Sequence, residues 1–464
     1  MSMGRRKEER QESLFVMAES LPRSGGHPFY QRLNKLLAEA GFDRWIEARC
    51  SQYYEQDDLR GSRSIPPGVY FRMLLVGYFE DISSQRGIAW RCADSLSLRQ
   101  FLGLTLEESS PVHASLTHIR KRLPEEVFDE VFQFVLRIAG QKKLLSGKTV
   151  AVDSTTLEAN AAMKSIVRRD TGEDWKEYVT RLMQEEGSVE KPLEQDEEPS
   201  GEDLRRFDKQ RKNKKVSNDA WVSKTDSDAR ITKMKDGRTH LAYKAEHVVD
   251  LKDDLILAAE IYEGDHSDTA TLVDSVLEAQ ANLQRSGSQQ EIREVVADKG
   301  YHAAEQLELA ASLGLRTYIP EPRRQHRRRW TGKKPSMKSA VYANRCRTKR
   351  AKSKQLQRRR SELCERTFAH VCNTGGTRRT WLRGLTDVRK RYSLAAAAHN
   401  LGRLLRKLFG VGKPKALQGG ITLIGLLLLP RHRLLAFSFM LRSTQAQRLQ
   451  IYQLLVPHQT KSVG

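Results

Sequence analysis

The sequence predicts an all-helical N-terminal segment followed by an α/β domain built on a mixed sheet, and three observations carry that expectation. Residues 28–140 repeat apolar side chains at the helical period. Two β-branched runs, 148–153 and 293–298, each end on an aspartate. Around them the elements read strand, hairpin, helix, strand, helix, strand, an order that implies a mixed sheet with helices on its faces.

Length and charge narrow the function. The 464 residues suffice for two or three domains and at least one sizeable core. Lys+Arg number 80 against 58 Asp+Glu, a net charge of +22, and such a surface calls for a large polyanion. Nucleic acid fits best, because neutralising phosphates releases counterions. An anionic membrane is the rival. Its best candidate segment, "ITLIGLLLLP" at 421–430, is too short for a span of about 20 residues. The "RHR" at 431–433 breaks it before "LLAFSFML" resumes, so both pieces read as buried packing or interface surface, with no membrane expected. The first residues, "MSMGRRKEERQES", lack the apolar stretch of a secretory signal. Five cysteines form no CxxC pair, so neither a zinc site nor a disulfide framework is indicated, and a reducing cytoplasm is expected.

In chain order, Leu33, Leu36, Leu37 and Phe42 open the helical segment, "IPPG" at 65–68 interrupts it, and "SPVHASLTHIRKRLP" forms a helix with a basic tip at Arg120, Lys121 and Arg122. Several short helices with one basic helix suit a helix-turn-helix-like DNA-binding module; an ordinary bundle with solvated Arg and Lys explains them as well. At 148 the pattern changes to "KTVAVDSTTLEAN", a strand ending on Asp153 and Ser154. Residues 164–220 are polar and charge-dense, which reads as a linker, a mobile insertion or partly helical decoration. "THLAYKAEHVVDL" and "DLILAAEIYEG" then form a hairpin, and "HSDTATLVDSVLEAQANLQ" a helix with Ser267 as N-cap. Between 321 and 360 there are 17 Lys or Arg and one acidic residue, Glu321. Arg327, Arg328 and Arg329 there adjoin Trp330, with Tyr342 further along, so bases could stack among the charges. The alternative is a solvated basic loop.

A lone aspartate at a strand's end is most simply a turn or a helix cap. Two such strands, if neighbours, make their carboxylates converge, and converging carboxylates repel unless a cation lies between them. Oxygen-only ligation suits magnesium or manganese. Two such ions, completed by a third carboxylate from a helix, can drive in-line attack on phosphorus. Asp226, Asp228, Asp250, His266 and Asp268 are weighed and left outside this set: Asp250 reads as a turn residue, and Ser267 with Asp268 as a helix start.

The blocks "VAVDSTTLEANA", "VVADKGYHA" and "CERTFAH…GGTRRTWLRGL…AAAAHNLGRLLRKLFG" resemble the three catalytic blocks of bacterial insertion-sequence transposases of the DDE class. Residues 65–123 are similar to the InsH-type helical N-terminal domain of one branch, and "SKTDSDARITKMKDGRTHLAYKAEHVVDL" to the stretch leading its second and third strands. The resemblance implies a ribonuclease H-like catalytic core with Asp153, Asp298 and Glu365 as catalytic residues and metal ligands for Mg2+ or Mn2+, as two ions. It implies Tyr301 and Arg366 near bound phosphates. The chain departs from many relatives in having Ser361 and Cys372 where they carry Arg and Lys; Arg360 is a candidate substitute, and Glu362 an alternative third ligand. The expected organisation is a DNA-binding domain at 1–140, a catalytic domain at 145–410 with insertions at 164–220 and 321–360, and an apolar and basic tail at 411–464. The expected function is binding of terminal inverted repeats, metal-dependent cleavage, and joining of the 3′-hydroxyl to target DNA. The expected assembly is a homodimer in a synaptic complex, in a bacterial cytoplasm at the nucleoid. The alternatives are a decayed transposase that only binds DNA and a metal nuclease without joining.

Overall fold

The computed structural model of the protein describes residues 26–54, 64–185, 199–211, 217–234, 237–323, 326 and 328–417. Among these, seven helices precede the first strand: α1 (Pro28–Glu39), α2 (Phe42–Cys50), α3 (Pro67–Phe79), α4 (Gln85–Asp94), α5 (Leu96–Leu102), α6 (His113–Arg122) and α7 (Glu125–Gln141). Their starts follow from local chemistry. Pro28 and Pro67 sit in first turns, where a missing N–H costs nothing. Ser84 and Ser95 accept from the backbone N–H of Gly87 and Leu98. The buried guanidinium of Arg72 on α3 is tied to Asp43 at 2.7 and 2.8 Å and donates to the Phe101 carbonyl, the pairing a buried charge requires.

The sheet is built from β1 (Thr149–Glu158), β4 (Arg230–Lys233), β5 (Thr239–Asp250), β6 (Ile256–Glu263), β7 (Glu294–Val296) and β8 (Arg316–Tyr318). Its order is β6-β5-β1-β7-β8, with β4 beside β6 on the same edge of β5. The first three strands are antiparallel and β1, β7 and β8 parallel, which is a ribonuclease H-like sheet. Helices α10 (Asp268–Arg285) and α11 (Ala304–Ser312) make the crossovers from β6 to β7 and from β7 to β8. A single carboxylate ties the parallel half together. Glu294 on β7 accepts from Thr149 on β1 (2.9 Å), from the Tyr318 hydroxyl on β8 (3.0 Å) and from Lys352 Nζ (2.5 Å). Burial pushes this acid up, but the donors from Lys352, Thr149 and Tyr318 outweigh it and hold Glu294 below its ordinary value.

The long helix α14 (Leu385–Phe409) packs against β6 on one side and α7 and α3 on the other. Its Ala395–Ala398 run is buried, and small side chains let these elements approach closely. Asn400 brackets Ile256, accepting from its N–H (2.9 Å) and donating to its carbonyl (2.8 Å).

Two expectations about the charged segments need correction. Of the three readings of 164–220, partly helical decoration fits the described residues, and the linker does not. Strands β2 (Ile166–Arg168) and β3 (Trp221–Ser223) pair antiparallel, and α8 (Trp175–Glu185) and α9 (Gly201–Gln210) share a small core of Val179, Leu204 and Phe207. Sparse apolar residues suffice because they fall on facing stripes of two helices, with Tyr178 edge-on to Trp221 at 5.4 Å. The 321–360 stretch is not a loop either. It contains α12 (Pro335–Thr348) and the first half of α13 (Ala351–Phe368). Lys and Arg are good helix formers, and their repulsion is relieved by ion pairs of Arg345 with Glu321 and Lys352 with Glu294. The tail pieces at 421–430 and 434–441 lie outside the described residues; among the described ones no helix is long and apolar enough to cross a membrane.

A cavity of about 440 Å³ between α7, β6, α10 and α14 gathers Glu125, Asp129, Glu260 and Glu278 around Arg389. Burial, then the charges of Glu278 and Asp129, push Glu260 up to about 7 against the pull of Arg389. A raised folded-state value means that stability is greatest below the ordinary 4.5 and is lost as pH rises through about 7. Glu260→Gln is expected to flatten this dependence and to raise the urea midpoint at about pH 8 more than at about pH 5. Equal shifts at both would show that Glu260 does not titrate in this window.

Candidate active site

The central strand β1 presents Val150, Ala151 and Val152 to the core and carries Asp153 where its buried run ends. Antiparallel pairing sets Asp153 opposite His247 on β5. Parallel pairing matches Val150 with Val295 and Ala151 with Val296. Continued two residues, that register brings Asp298 abreast of Asp153 at the same edge of the sheet. Asp298 opens a single 3-10 turn, Lys299–Tyr301, its Oδ1 accepting from the Gly300 N–H at 2.7 Å. Asp298 therefore has a turn role at the position where the register sets it beside Asp153.

Helix α13 crosses above Asp153, midway along β1, and the end of β7. Gln357 donates to the carbonyls of Ala297 (3.0 Å) and Tyr318 (2.7 Å), fastening the helix to the ends of β7 and β8. One turn on, Arg360 is held by Gln357 Oε1 at 3.1 Å and donates to Asp153 Oδ2 at 2.6 Å. Next comes Cys364, fully buried; burial first, then Asp153 and Glu365 among its neighbours, push its thiol well up. Thr367 bonds His247 Nδ1 at 3.0 Å, and Phe368 stacks on the His247 ring at 4.1 Å. These contacts fix the rotation of the helix. Glu365 is thereby exposed beside Cys364, and Ser361 donates to its Oε1 at 2.9 Å. Glu362 turns further from the buried face and accepts from Arg366 at 3.4 Å. Gln357, His247 and Thr367 escaped sequence reasoning; the spacing of Gln357, Arg360, Cys364 and Thr367 along one helix face is a signal for the two on α13, and none marks His247 on β5.

The donor set of Asp153, Asp298 and Glu365 is all carboxylate oxygen, which fits a hard divalent cation. Each is presently held by a donor of its own: Arg360, the Gly300 N–H and Ser361. Among the described residues, the group whose ligand atoms lie within 4.8 Å of one another is a different one, Glu263, Asp265 and His266. Arg230 pairs with Glu263 at 2.6 Å and lies 3.8 Å from Asp265, so one guanidinium serves both carboxylates of that group. The other weighed acids have structural work. Asp226 accepts from Tyr243 and the Gly384 N–H, and Asp228 from the Leu385 N–H, so both satisfy the start of α14. Asp250 accepts from the N–H groups of Ser146, Gly147 and Lys252, the expected turn role.

Comparison with protein families adds two matches: residues 18–122 to a transposase domain (DUF772), and residues 321–405 to a transposase DDE domain. The two matches support a DDE-type insertion-sequence transposase. No curated protein matches it. The DDE match spans Arg360 and Glu365 and begins after Asp298. DNA is the substrate class of the transposase, and the residues expected to touch it are distributed unevenly. Arg120 turns inward toward Asp387 at 3.5 Å, while Lys121 and Arg122 are exposed, Arg122 over the Tyr54 ring. Arg328 lies over Trp330 at 5.1 Å, and Trp330 neighbours Tyr342 at 6.2 Å; Arg329 is exposed and Arg327 lies outside the described residues. Arg366 is committed to Asp254 at 2.7 Å. Tyr301, expected beside phosphates, is fully buried with its hydroxyl donating to Glu246 at 2.9 Å, so it supports the turn from inside.

Gly300 explains the glycine of Asp-Lys-Gly-Tyr. A methyl group there would lie 2.9 Å from Asp298 Oδ1 and 3.1 Å from Asp268 Oδ2, so any side chain must push carboxylates aside. Its backbone is not in the left-handed region. Gly300→Ala is thus expected to melt near wild type yet cut DNA on the order of 10- to 100-fold more slowly, the effect of a displacement of about 1 Å in a catalytic group. Wild-type cleavage by this variant would detach the turn from the chemistry.

Proposed function

We propose that this transposase binds the terminal inverted repeats of its element, cuts each end by hydrolysis, and joins the freed 3′-hydroxyl to target DNA. The observation that carries the reading is the β1–β7 register, with Asp298 abreast of Asp153 beneath the helix that bears Glu365. In this reading Asp153, Asp298 and Glu365 hold Mg2+ or Mn2+, as two ions. When bound, the ions supply activation of the attacking water or hydroxyl and stabilisation of the leaving oxygen. Arg360 keeps Asp153 Oδ2 oriented through Gln357. The exposed Lys121, Arg122 and Arg329 contact phosphates, and Trp330 with Tyr342 offers a stacking platform. The helical segment 1–140 serves as the DNA-binding domain and 145–410 as the catalytic one. Two ends are paired by a homodimer before joining, at the nucleoid of a bacterial cytoplasm.

The test is strand cleavage on DNA carrying the element's own terminal repeat, with and without Mn2+. Wild type is expected to nick at the repeat end only with metal, and Asp153→Asn or Asp298→Asn to lose about a thousandfold or more, as for members of a set acting as a unit. Salt-sensitive binding without any wild-type cleavage would leave a DNA-binding protein. Cleavage with no joining of pre-cut ends would leave a nuclease.

A further inference from the structure

We propose that Asp268, at the start of α10, is a fourth carboxylate of the site and ligates the same divalent cation as Asp298; the inference rests on the metal-dependent reading above. An aspartate in a first helical turn is ordinarily explained by the helix dipole and the free N–H groups. That explanation is weak here, because the N-cap Ser267 makes no capping hydrogen bond and Asp268 turns back onto the sheet. Its Oδ1 accepts from Ser154 Oγ at 2.8 Å and lies 2.9 Å from Lys244 Nζ. Ser154 is the residue after Asp153.

The other oxygen, Oδ2, faces the Gly300 backbone on the same side as Asp298 Oδ1. One carboxylate thus bridges from the strand of Asp153 to the turn of Asp298. Behind it, Lys244 is 4% exposed and also lies 3.1 Å from Glu246, itself wholly buried. Glu246 Oε2 accepts from Thr271 and Tyr301, while its Oε1 has no donor among the described residues. A single ammonium therefore faces two carboxylates, and this pocket holds more acceptor than donor. The imbalance, with two carboxylate oxygens turned to one backbone, is what a hard cation relieves. Glu365 is carried by α13 and Asp268 by α10.

The test is Mn2+ binding by calorimetry on the full chain without DNA, alongside melting without metal. Asp268→Asn keeps an oxygen for Ser154 and Lys244 but removes the charge. It is expected to melt like wild type without metal and to bind Mn2+ about tenfold or more weakly, with a correspondingly smaller Mn2+-induced rise in melting temperature. Asp268→Glu retains the charge and is expected to recover part of the affinity; it carries the test if the Asn variant melts early. Wild-type Mn2+ affinity in a natively melting Asp268→Asn, or in Asp268→Glu where it stands in, overturns the proposal. Asp298→Asn is the reference. If it too binds Mn2+ like wild type, the metal site itself is refuted, a failure distinct from loss of binding in Asp298→Asn alone.

Discussion

Glu294 is the point at which the architecture closes. Strand β7 is only three residues long, and so is β8, so backbone pairing alone holds the parallel half of the sheet weakly. The carboxylate of Glu294 joins β1, β7, β8 and α13 through three donors, and Gln357 and Asn344 add side-chain clamps on the carbonyls and amides just beyond the strands. These add to the backbone pairing that holds β7 beside β1 and sets Asp298 in relation to Asp153. The antiparallel side needs no such device, because the β1–β5 pairing runs from Val150 to Glu158.

The same economy governs charge. A net charge of +22 would repel itself if spread evenly, but many cations of the described residues are neutralised locally. Arg345, Lys352, Arg360, Arg403 and Lys407 each have a carboxylate partner. Of the basic window, Lys354, Arg358 and Arg359 stay exposed on one side of α13, along a groove of about 620 Å³ that also meets Arg403 and Lys407. The cationic side of α13 is thus distinct from the side that meets Asp153.

Much of this was legible in the chain. The helical period before residue 140, the two strands near Asp153 and Asp298, the hairpin between them and the helix of Glu365 all follow from local pattern, though β1 runs on to Glu158 rather than ending on Asp153 and β7 stops at Val296. The insertion at 164–220 and the helix α12 were less so: their apolar residues are few, and a stripe of three or four is recognisable only against the surface that it meets. Tyr301 and Arg366 illustrate the limit at the site. Sequence adjacency to a catalytic acid says nothing of direction, and one is turned into the core while the other is spent on Asp254.

By itself, then, the sequence determined most of the elements and the basic character, because each rests on residue type and short-range spacing; Asp153, Asp298 and Glu365 were singled out by resemblance to a family. Only the tertiary structure decided which acids share a register, that Arg360 faces Asp153, that Asp226 and Asp228 serve α14, and that Asp268 and Asp298 both turn to Gly300. The physical reason is that these contacts join residues far apart in the chain, and their geometry is set by strand register and helix rotation, quantities that no local stretch of sequence contains.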